Sequence, residues 1–327
     1  MKIVRETTFG KIIHCDSIEY LRSIDNNSID LIVTSPPFDL ITQKKYGNLQ
    51  DEEYQNWLLE FGHEFFLVLK DTGSLVMDLS GGWTKGYPTK NLSEYRVLLN
   101  YCDKIGFSLA QDFFWWDPSK LPTPVEWVNV KRVRVKDAVN KIWWFSKTQN
   151  PKADNNKVLQ KYSASMELVL EKGTNTGKRS SGHEVSDKFK INNRGSIPPN
   201  LIAMANSNRD EYLNYCKENN LTIHPARFSS IIPEFFIRML TDENDSVLDP
   251  FAGSCVTGYV AEKLKRNWVC CDKEYDYLLG AFGRFQSRPS GKKTKKYKYE
   301  ISAPSFEIHE DPNHELLIKQ KQFKLDV

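Results

Sequence analysis

A chain of 327 residues with 40% apolar and 27% charged residues is long enough for one large α/β domain and a smaller module, and its composition excludes disorder as the default. Six cysteines at Cys15, Cys102, Cys216, Cys255, Cys270 and Cys271 show neither disulfide-scaffold spacing nor a Cys-x-x-Cys pair, so no metal is expected. The net charge of +3 neither demands nor forbids a polyanionic partner; with no apolar core in Met1–Glu6 and no run of transmembrane length, a cytoplasmic protein without a membrane partner is expected.

The first predicted element is a short strand, Lys11-Ile12-Ile13-His14-Cys15-Asp16-Ser17, ending on an acid and a hydroxyl. A helix follows from Ile18, for which Asp16 can serve as N-cap. The apolar run Ile29–Thr34 predicts a buried strand that stops on Ser35-Pro36-Pro37-Phe38, and residues 38 to 48, with Lys44, Lys45 and Gly47, read as a loop over that point. Tyr54 to Leu69 has helical spacing, Ser74 to Leu79 is the next buried strand, and Gly81-Gly82 breaks it. Leu92 to Ile105 predicts a second amphipathic helix ending at Gly106. Gln111–Trp116 and Val139–Phe145 form a pair of late strands, whose four tryptophans read as sheet packing.

Between Ser119 and Lys152 eight Lys/Arg face two acids, with Trp127, Trp143 and Trp144 interleaved; Lys131, Arg132, Arg134 and Lys136 are candidate phosphate contacts. From Gln149 to about Thr222 the periodicity fades. Helical spacing returns at Pro233–Leu240 and leads into a strand, Ser246–Asp249, a small-residue turn, Pro250–Ser254, a helix, Val256–Lys265, and a second strand, Trp268–Asp272. Arg288, Lys292, Lys293, Lys295, Lys296 and Lys298 cluster near the C-terminus, as a phosphate-tracking segment or a solvated tail. Strands alternating with helices predict an α/β fold with a mostly parallel sheet and helices on both faces.

Two places carry chemistry. Ser35-Pro36-Pro37-Phe38 presents a hydroxyl, a carbonyl on stiff backbone and a ring at one point. Two acceptors and a ring suit a planar exocyclic amine such as those of cytosine and adenine. The second place is the strand, small-residue loop, helix and strand that ends on Asp272, the pattern of nucleoside sites, where the acid accepts from ribose hydroxyls. Gly253 and Gly258 have the spacing of a phosphate-binding loop, but Tyr259 and Val260 stand where Lys and Ser/Thr are required. A nucleoside without phosphates is therefore expected, and S-adenosyl-L-methionine fits.

Thr34-Ser35-Pro36-Pro37-Phe38 resembles the catalytic motif of amino-methylating DNA methyltransferases, and Asp249-Pro250-Phe251-Ala252-Gly253-Ser254 resembles their cofactor motif. Catalytic motif first and cofactor motif last is the circularly permuted order of the β class, and the resemblance runs over nearly the whole chain, closest to the N4-cytosine enzymes. It implies a doubly wound methyltransferase sheet of seven strands, one of them antiparallel, with a smaller target-recognition region. The implied organisation is a catalytic half at 1–148, target recognition at 149–222, a cofactor-binding half at 223–287 and a basic extension at 288–327. Ser35, Pro36, Pro37 and Phe38 become catalytic residues. Asp16, Ser17, His224, Pro225, Asp249, Phe251, Gly253, Ser254 and Asp272 become cofactor-binding, with Asp249 either shaping the loop or meeting an ammonium.

The resemblance further implies action on a flipped base in double-stranded DNA within a prokaryote or phage, as the modification enzyme beside a restriction endonuclease that shares its site without a stable complex. N6-adenine methylation and a catalytically idle DNA-binding relative are the alternatives. No Cys follows a Pro, so the nucleophile of cytosine-C5 methylation is missing. Two positions depart from the family pattern, Cys15 and Cys255, where glycine is usual; at Cys255 the loop must avoid positive φ or accept strain.

Overall fold

The computed structural model describes residues 1–39, 51–173, 177–178, 180–182, 184–186, 191–206, 211–227 and 229–286. The expected loop from residue 40 to 48 and the basic segment 288–327 lie outside the described residues. By contact the chain divides into two compact units, one holding Met1–Val158 and the described residues from Pro199 onward, the other Leu159–Pro198. The segment that reads as one low-periodicity region in the sequence is thus shared between them.

The larger unit is built on a nine-stranded mixed sheet in the order β1 (Lys2–Glu6), β2 (Gly10–His14), β11 (Asn267–Asp272), β10 (Ser246–Asp249), β3 (Ile29–Thr34), β4 (Leu69–Asp78), β6 (Val139–Ser146), β5 (Ser108–Trp116), β9 (Leu201–Ala203). From β2 to β4 all neighbours are parallel, and β6 runs antiparallel between β4 and β5. Those seven strands are the arrangement expected. Two edge strands extend it: β1 pairs antiparallel with β2, and β9 adds parallel to β5. At three residues β9 is too short to leave a periodic signal in the sequence.

Every residue of β3 is buried, so its side chains supply two cores in alternation. Leu31 and Val33 join Val76, Ile142 and Trp144 under α6 (Ile231–Leu240) and α7 (Val256–Lys263). Ile32 joins Leu75, Trp143 and Phe145 on the other face, under α1 (Ser17–Ser23), α2 (Asp51–Val68) and α3 (Ser93–Asn100). Trp143 and Trp144 therefore pack on opposite faces, and Trp144 Nε1 donates to Ser74 Oγ at 2.9 Å. On the carboxyl side of α3 the helix continues to Ile105 as one wider turn and stops at Gly106, whose φ of +100° only glycine adopts without strain.

α5 (Glu211–Glu218) and α8 (Tyr275–Ala281) complete the larger unit, with Tyr212 and Cys216 of α5 buried. In the smaller unit α4 (Ala164–Lys172) is capped by Ser163, whose hydroxyl accepts from Met166 N, and β7 (Gly177–Lys178) pairs antiparallel with β8 (Glu184–Val185). Gln160 and Ser196 exchange backbone hydrogen bonds at 2.9 Å, closing that unit at its base.

α7 lies so close to β11 that a Cβ on Gly258 would sit 2.7 Å from the Trp268 ring and 2.8 Å from Cys270 Sγ. Both neighbours are buried and cannot yield. Glycine-to-alanine in a helix interior ordinarily gains up to about 1 kcal/mol, whereas overpacking costs about 1–3 kcal/mol. Gly258→Ala is therefore expected to lower stability by about 1–2 kcal/mol in equilibrium denaturation, against the helix-propensity trend.

Candidate functional site

β3 and β10 are neighbours at the centre of the sheet although the residues that pair, Val247 with Leu31 and Leu248 with Ile32, are far apart in sequence. From β3 the sheet continues to β4 on one side, and from β10 to β11 on the other. This is the switch point of an open α/β sheet, where the carboxyl ends of the strands part to form a crevice. A cleft of about 790 Å³ opens there. It is lined by Ser35, Pro36, Pro37 and Phe38 from the end of β3, and by Phe251, Gly253, Ser254 and Asp272 from the β10 loop and the end of β11. Asp16, Ser17, His224 and Pro225 line it as well. The two motifs, separated by more than two hundred residues, therefore share one cavity.

Asp16 accepts from Ile18 N at 2.8 Å and Glu19 N at 3.4 Å through Oδ1, so it caps α1 while facing the cleft. Ser17 is buried and its hydroxyl donates to the Pro250 carbonyl at 2.5 Å, which fastens the β10 loop to α1. Asp272 accepts from Gly253 N at 2.7 Å and from Glu274 N at 2.8 Å; burial raises its carboxyl. Gly253 has φ of +48°, and a Cβ there would stand 2.8 Å from His224 Nε2. Burial holds the His224 imidazole down to about 4, so it is neutral near pH 7, and its ring meets the Tyr277 edge with centroids 4.6 Å apart. Phe251 packs on Phe61 and Trp57 at centroid distances of 4.7 and 5.6 Å.

Asp249 does not line the cleft. It lies beneath the loop, fully buried, accepting from Thr34 Oγ at 2.7 Å, Phe251 N at 3.1 Å and Thr257 Oγ at 2.7 Å. Of the two roles open to it in the sequence, the geometry supports shaping the loop. Cys255 takes the strained alternative, with φ of +54° and ψ of +44° at the start of α7.

Three cleft residues escaped the sequence reading. Thr34 pairs with Met77, and the residues that follow each of them, Ser35 and Asp78 at the end of β4, both line the cleft. Burial pushes the Asp78 carboxyl up to about 7. Asn140 Nδ2 approaches Asp78 Oδ1 at 3.4 Å, and Asn140 Oδ1 accepts from Lys120 Nζ at 2.8 Å, so the three form a chain along the wall. An acid closing the strand after the Ser-Pro-Pro-Phe strand was the available signal. Below the loop, buried Arg284 donates to the Ser254 carbonyl at 2.7 Å and to its hydroxyl at 3.1 Å, which the sequence gave no means of pairing.

The four basic candidates separate. Arg132 is exposed. Lys131 lies over the Trp127 ring and pairs with Glu126 at 3.1 Å. Lys136 donates to the Pro118 and Lys120 carbonyls at 3.2 and 3.0 Å. Arg134 instead turns inward to Asp137 at 2.9 Å, which also accepts from Trp83 Nε1 at 3.0 Å.

Asp16 and Asp272 line the cleft and Asp249 lies beneath the β10 loop, so the carboxylates around the loop offer acceptors for a ligand rich in hydroxyls. This acceptor set fits S-adenosylmethionine. Among the described residues no group of three or more His, Cys, Asp or Glu could hold a metal ion, and no helix is long and apolar enough to cross a membrane.

A doubly wound sheet whose Ser-Pro-Pro-Phe turn and β10 loop share one cleft at the switch point is the architecture of group-transferring α/β enzymes. A family model for DNA methylases of the N6/N4 type matches residues 29–282, and the chain belongs to that family. It is 46% identical over 283 residues to the type II methyltransferase M.PvuII of Proteus hauseri, covering 85% of this chain and 84% of that one. With M.BglII of Bacillus subtilis, another type II methyltransferase, it shares 27% identity over 286 residues, 86% of this chain and 70% of that one. A solved structure of the PvuII DNA methyltransferase (cytosine-N4-specific) superposes with a TM-score of 0.71 at 42% identity, over 86% of this chain and 88% of that chain.

The buried Asp249 carboxyl is raised to about 6 by burial, opposed by its hydrogen bonds to Thr257, Thr34 and Phe251. In the unfolded chain it ionises near the ordinary 3.8. The stability it contributes is present below that value and is lost as pH rises through about 6, on the order of 2–3 kcal/mol. An asparagine can accept from Thr34 and donate to Thr257, whose hydrogen then turns to the Val33 carbonyl 3.4 Å away. Asp249→Asn is expected to gain stability relative to the parent between about pH 4 and about pH 7, measured by chemical denaturation at both ends.

Proposed function

We propose that this chain transfers the methyl group of S-adenosylmethionine to N4 of a cytosine flipped out of duplex DNA. The observation that carries the reading is the single cleft shared by Ser35-Pro36-Pro37-Phe38 and the carboxylate-ringed β10 loop. When bound, the cofactor supplies an electrophilic methyl group. Asp272 and Asp16 are assigned to hold its ribose hydroxyls and adenine amine. Phe251, Gly253 and Ser254 enclose the remainder, while His224 and Pro225 close the side of the loop.

The cytosine amine is a poor nucleophile because its lone pair is delocalised into the ring. Ser35 Oγ and the Pro36 carbonyl accept its two hydrogens, which favours a pyramidal nitrogen and frees the lone pair. That interaction strengthens as the transition state forms, and so lowers the barrier rather than only tightening binding. Phe38 stacks on the base, which leaves the duplex because its amine is otherwise paired. Once the new bond has formed the nitrogen is acidic, and Asp78, which lines the same cleft as Ser35 and whose carboxyl burial raises to about 7, is assigned to receive the proton.

Cytosine is favoured over adenine because Ser35 stands where adenine enzymes of the family usually carry Asp or Asn, and because the similar PvuII enzyme is cytosine-N4-specific. Lys131, Arg132 and Lys136 are assigned to the DNA phosphates; Arg134 is assigned to bracing Asp137. Residues 149–222 are assigned to reading the target sequence. The reading makes the chain the modification enzyme of a restriction–modification system in a prokaryotic or phage-infected cytoplasm, with an endonuclease that shares its site but forms no stable complex with it.

The test is to incubate unmethylated DNA with the protein and S-adenosylmethionine, digest to nucleosides and identify the modified base by mass spectrometry. N4-methyl-2′-deoxycytidine is expected; N6-methyl-2′-deoxyadenosine in its place refutes the cytosine assignment. On the same DNA, Ser35→Ala is expected to slow single turnover by roughly ten- to a thousandfold with cofactor affinity retained. An unchanged rate removes Ser35 from the reaction.

A further inference from the structure

Residues 117–124, joining β5 to the basic segment, form a stiff projecting loop at the cleft rim. Pro118, Pro122 and Pro124 fix three φ angles within it. Its base is fastened by Asp117 N to the Ala138 carbonyl at 2.9 Å and Asp137 N to the Thr123 carbonyl at 3.4 Å. Lys120 N closes a turn on the Asp117 carbonyl at 3.2 Å, and Lys136 Nζ holds the Pro118 and Lys120 carbonyls. Lys120 and Thr123 face into the cleft. Between them Leu121 is 74% exposed, followed by exposed Pro122.

A single exposed leucine is ordinary on a protein surface, and it is the place of Leu121, on a fastened loop whose neighbouring residues line the cleft, that bears on function. It is not an isolated case here. Val130 and Val133, at 67% and 61%, stand out from the segment that also exposes Arg132. Aliphatic side chains interleaved with cations suit a surface that meets both phosphates and bases.

A base that enters the cleft leaves a gap in the stack it came from, and unstacking and unpairing oppose its departure by a few kcal/mol. Leucine and proline are among the apolar residues that proteins insert between base steps. Resting on the methyl-transfer reading, we propose that Leu121, backed by Pro122, is the wedge that fills the gap left by the flipped cytosine. The loop's fastening is what makes the insertion productive, since a stiff knob loses little conformational freedom on entering the stack. Lys120, one residue back and bonded to Asn140 in the wall, sets the wedge at a fixed distance from the site that receives the base. Leu121 is thus a positioning residue and touches neither the amine nor the cofactor.

The experiment compares Leu121→Ala with the unaltered protein on two duplexes carrying the sequence that the latter methylates in genomic DNA. In one the target cytosine is paired with guanine; in the other it faces an abasic residue, so no pairing holds it in. The variant is expected to turn over about tenfold more slowly, or worse, on the paired duplex and within about threefold of the parent on the abasic one. Leu121→Met, which keeps the apolar bulk, should match the parent on both, and cofactor affinity should be the same in all three proteins. Parental turnover of L121A on the paired duplex, or an equal slowing on both duplexes, overturns the proposal. Failure of the unaltered protein to methylate any DNA overturns the methyl-transfer reading first, and the wedge with it.

Discussion

The hydrogen bond from Thr34 Oγ to Asp249 Oδ1, 2.7 Å long and fully buried, joins the ends of the two strands on which everything else depends. Thr34 is the last residue of β3, directly before Ser35; Asp249 is the last residue of β10, directly before the cofactor loop. The other Asp249 oxygen takes the Thr257 hydroxyl from the first turn of α7. One carboxylate therefore sets the Ser-Pro-Pro-Phe turn, the β10 loop and α7 in a common frame. In-line transfer needs its reacting atoms aligned within a fraction of an ångström, and a rigid buried bond between the two half-sites supplies that alignment more directly than any contact at the cleft mouth.

The same corner also decides what kind of ligand enters. Phosphate-binding loops direct several N–H groups at the anion and add a lysine. Here Gly253 N is already taken by Asp272, Phe251 N by Asp249 and Glu274 N by Asp272. With Phe251 N and Gly253 N spent on carboxylates and Ala252 N on the Cys271 carbonyl, the acceptor oxygens of Asp272 and Asp16 match ribose hydroxyls and an amine. Cys255 holds a left-handed conformation that glycine would adopt freely, a strain on the order of 1–2 kcal/mol that the buried packing on its side chain offsets.

Much of this was legible in the sequence because it is local. The β3 run, the Ser-Pro-Pro-Phe stop and the strand–loop–helix–strand ending on Asp272 each fall within a window of some thirty residues or fewer, and their chemistry follows from residue type and order. What escaped was set by register and long-range pairing. Asp78 reaches the site only because β4 lies beside β3 in a particular register, and Asn140 and Lys120 only because β6 inserts antiparallel next to β4. Arg134 looked like one member of a basic run, but Asp137 three residues on turns it inward. β9 and α5 are short, lie at the margin of the sheet and between polar stretches, and leave no periodic trace although both belong to the larger unit.

The claim that the carboxylate-ringed loop selects a cationic nucleoside without phosphates is tested most directly by calorimetric titration of the folded protein with S-adenosylmethionine and, in parallel, with ATP. The two share an adenosine and differ in whether the 5′ substituent carries a sulfonium and an ammonium or a triphosphate. Saturable binding of the first and none of the second is the predicted result. Comparable binding of ATP, or no heat from either ligand, would contradict it.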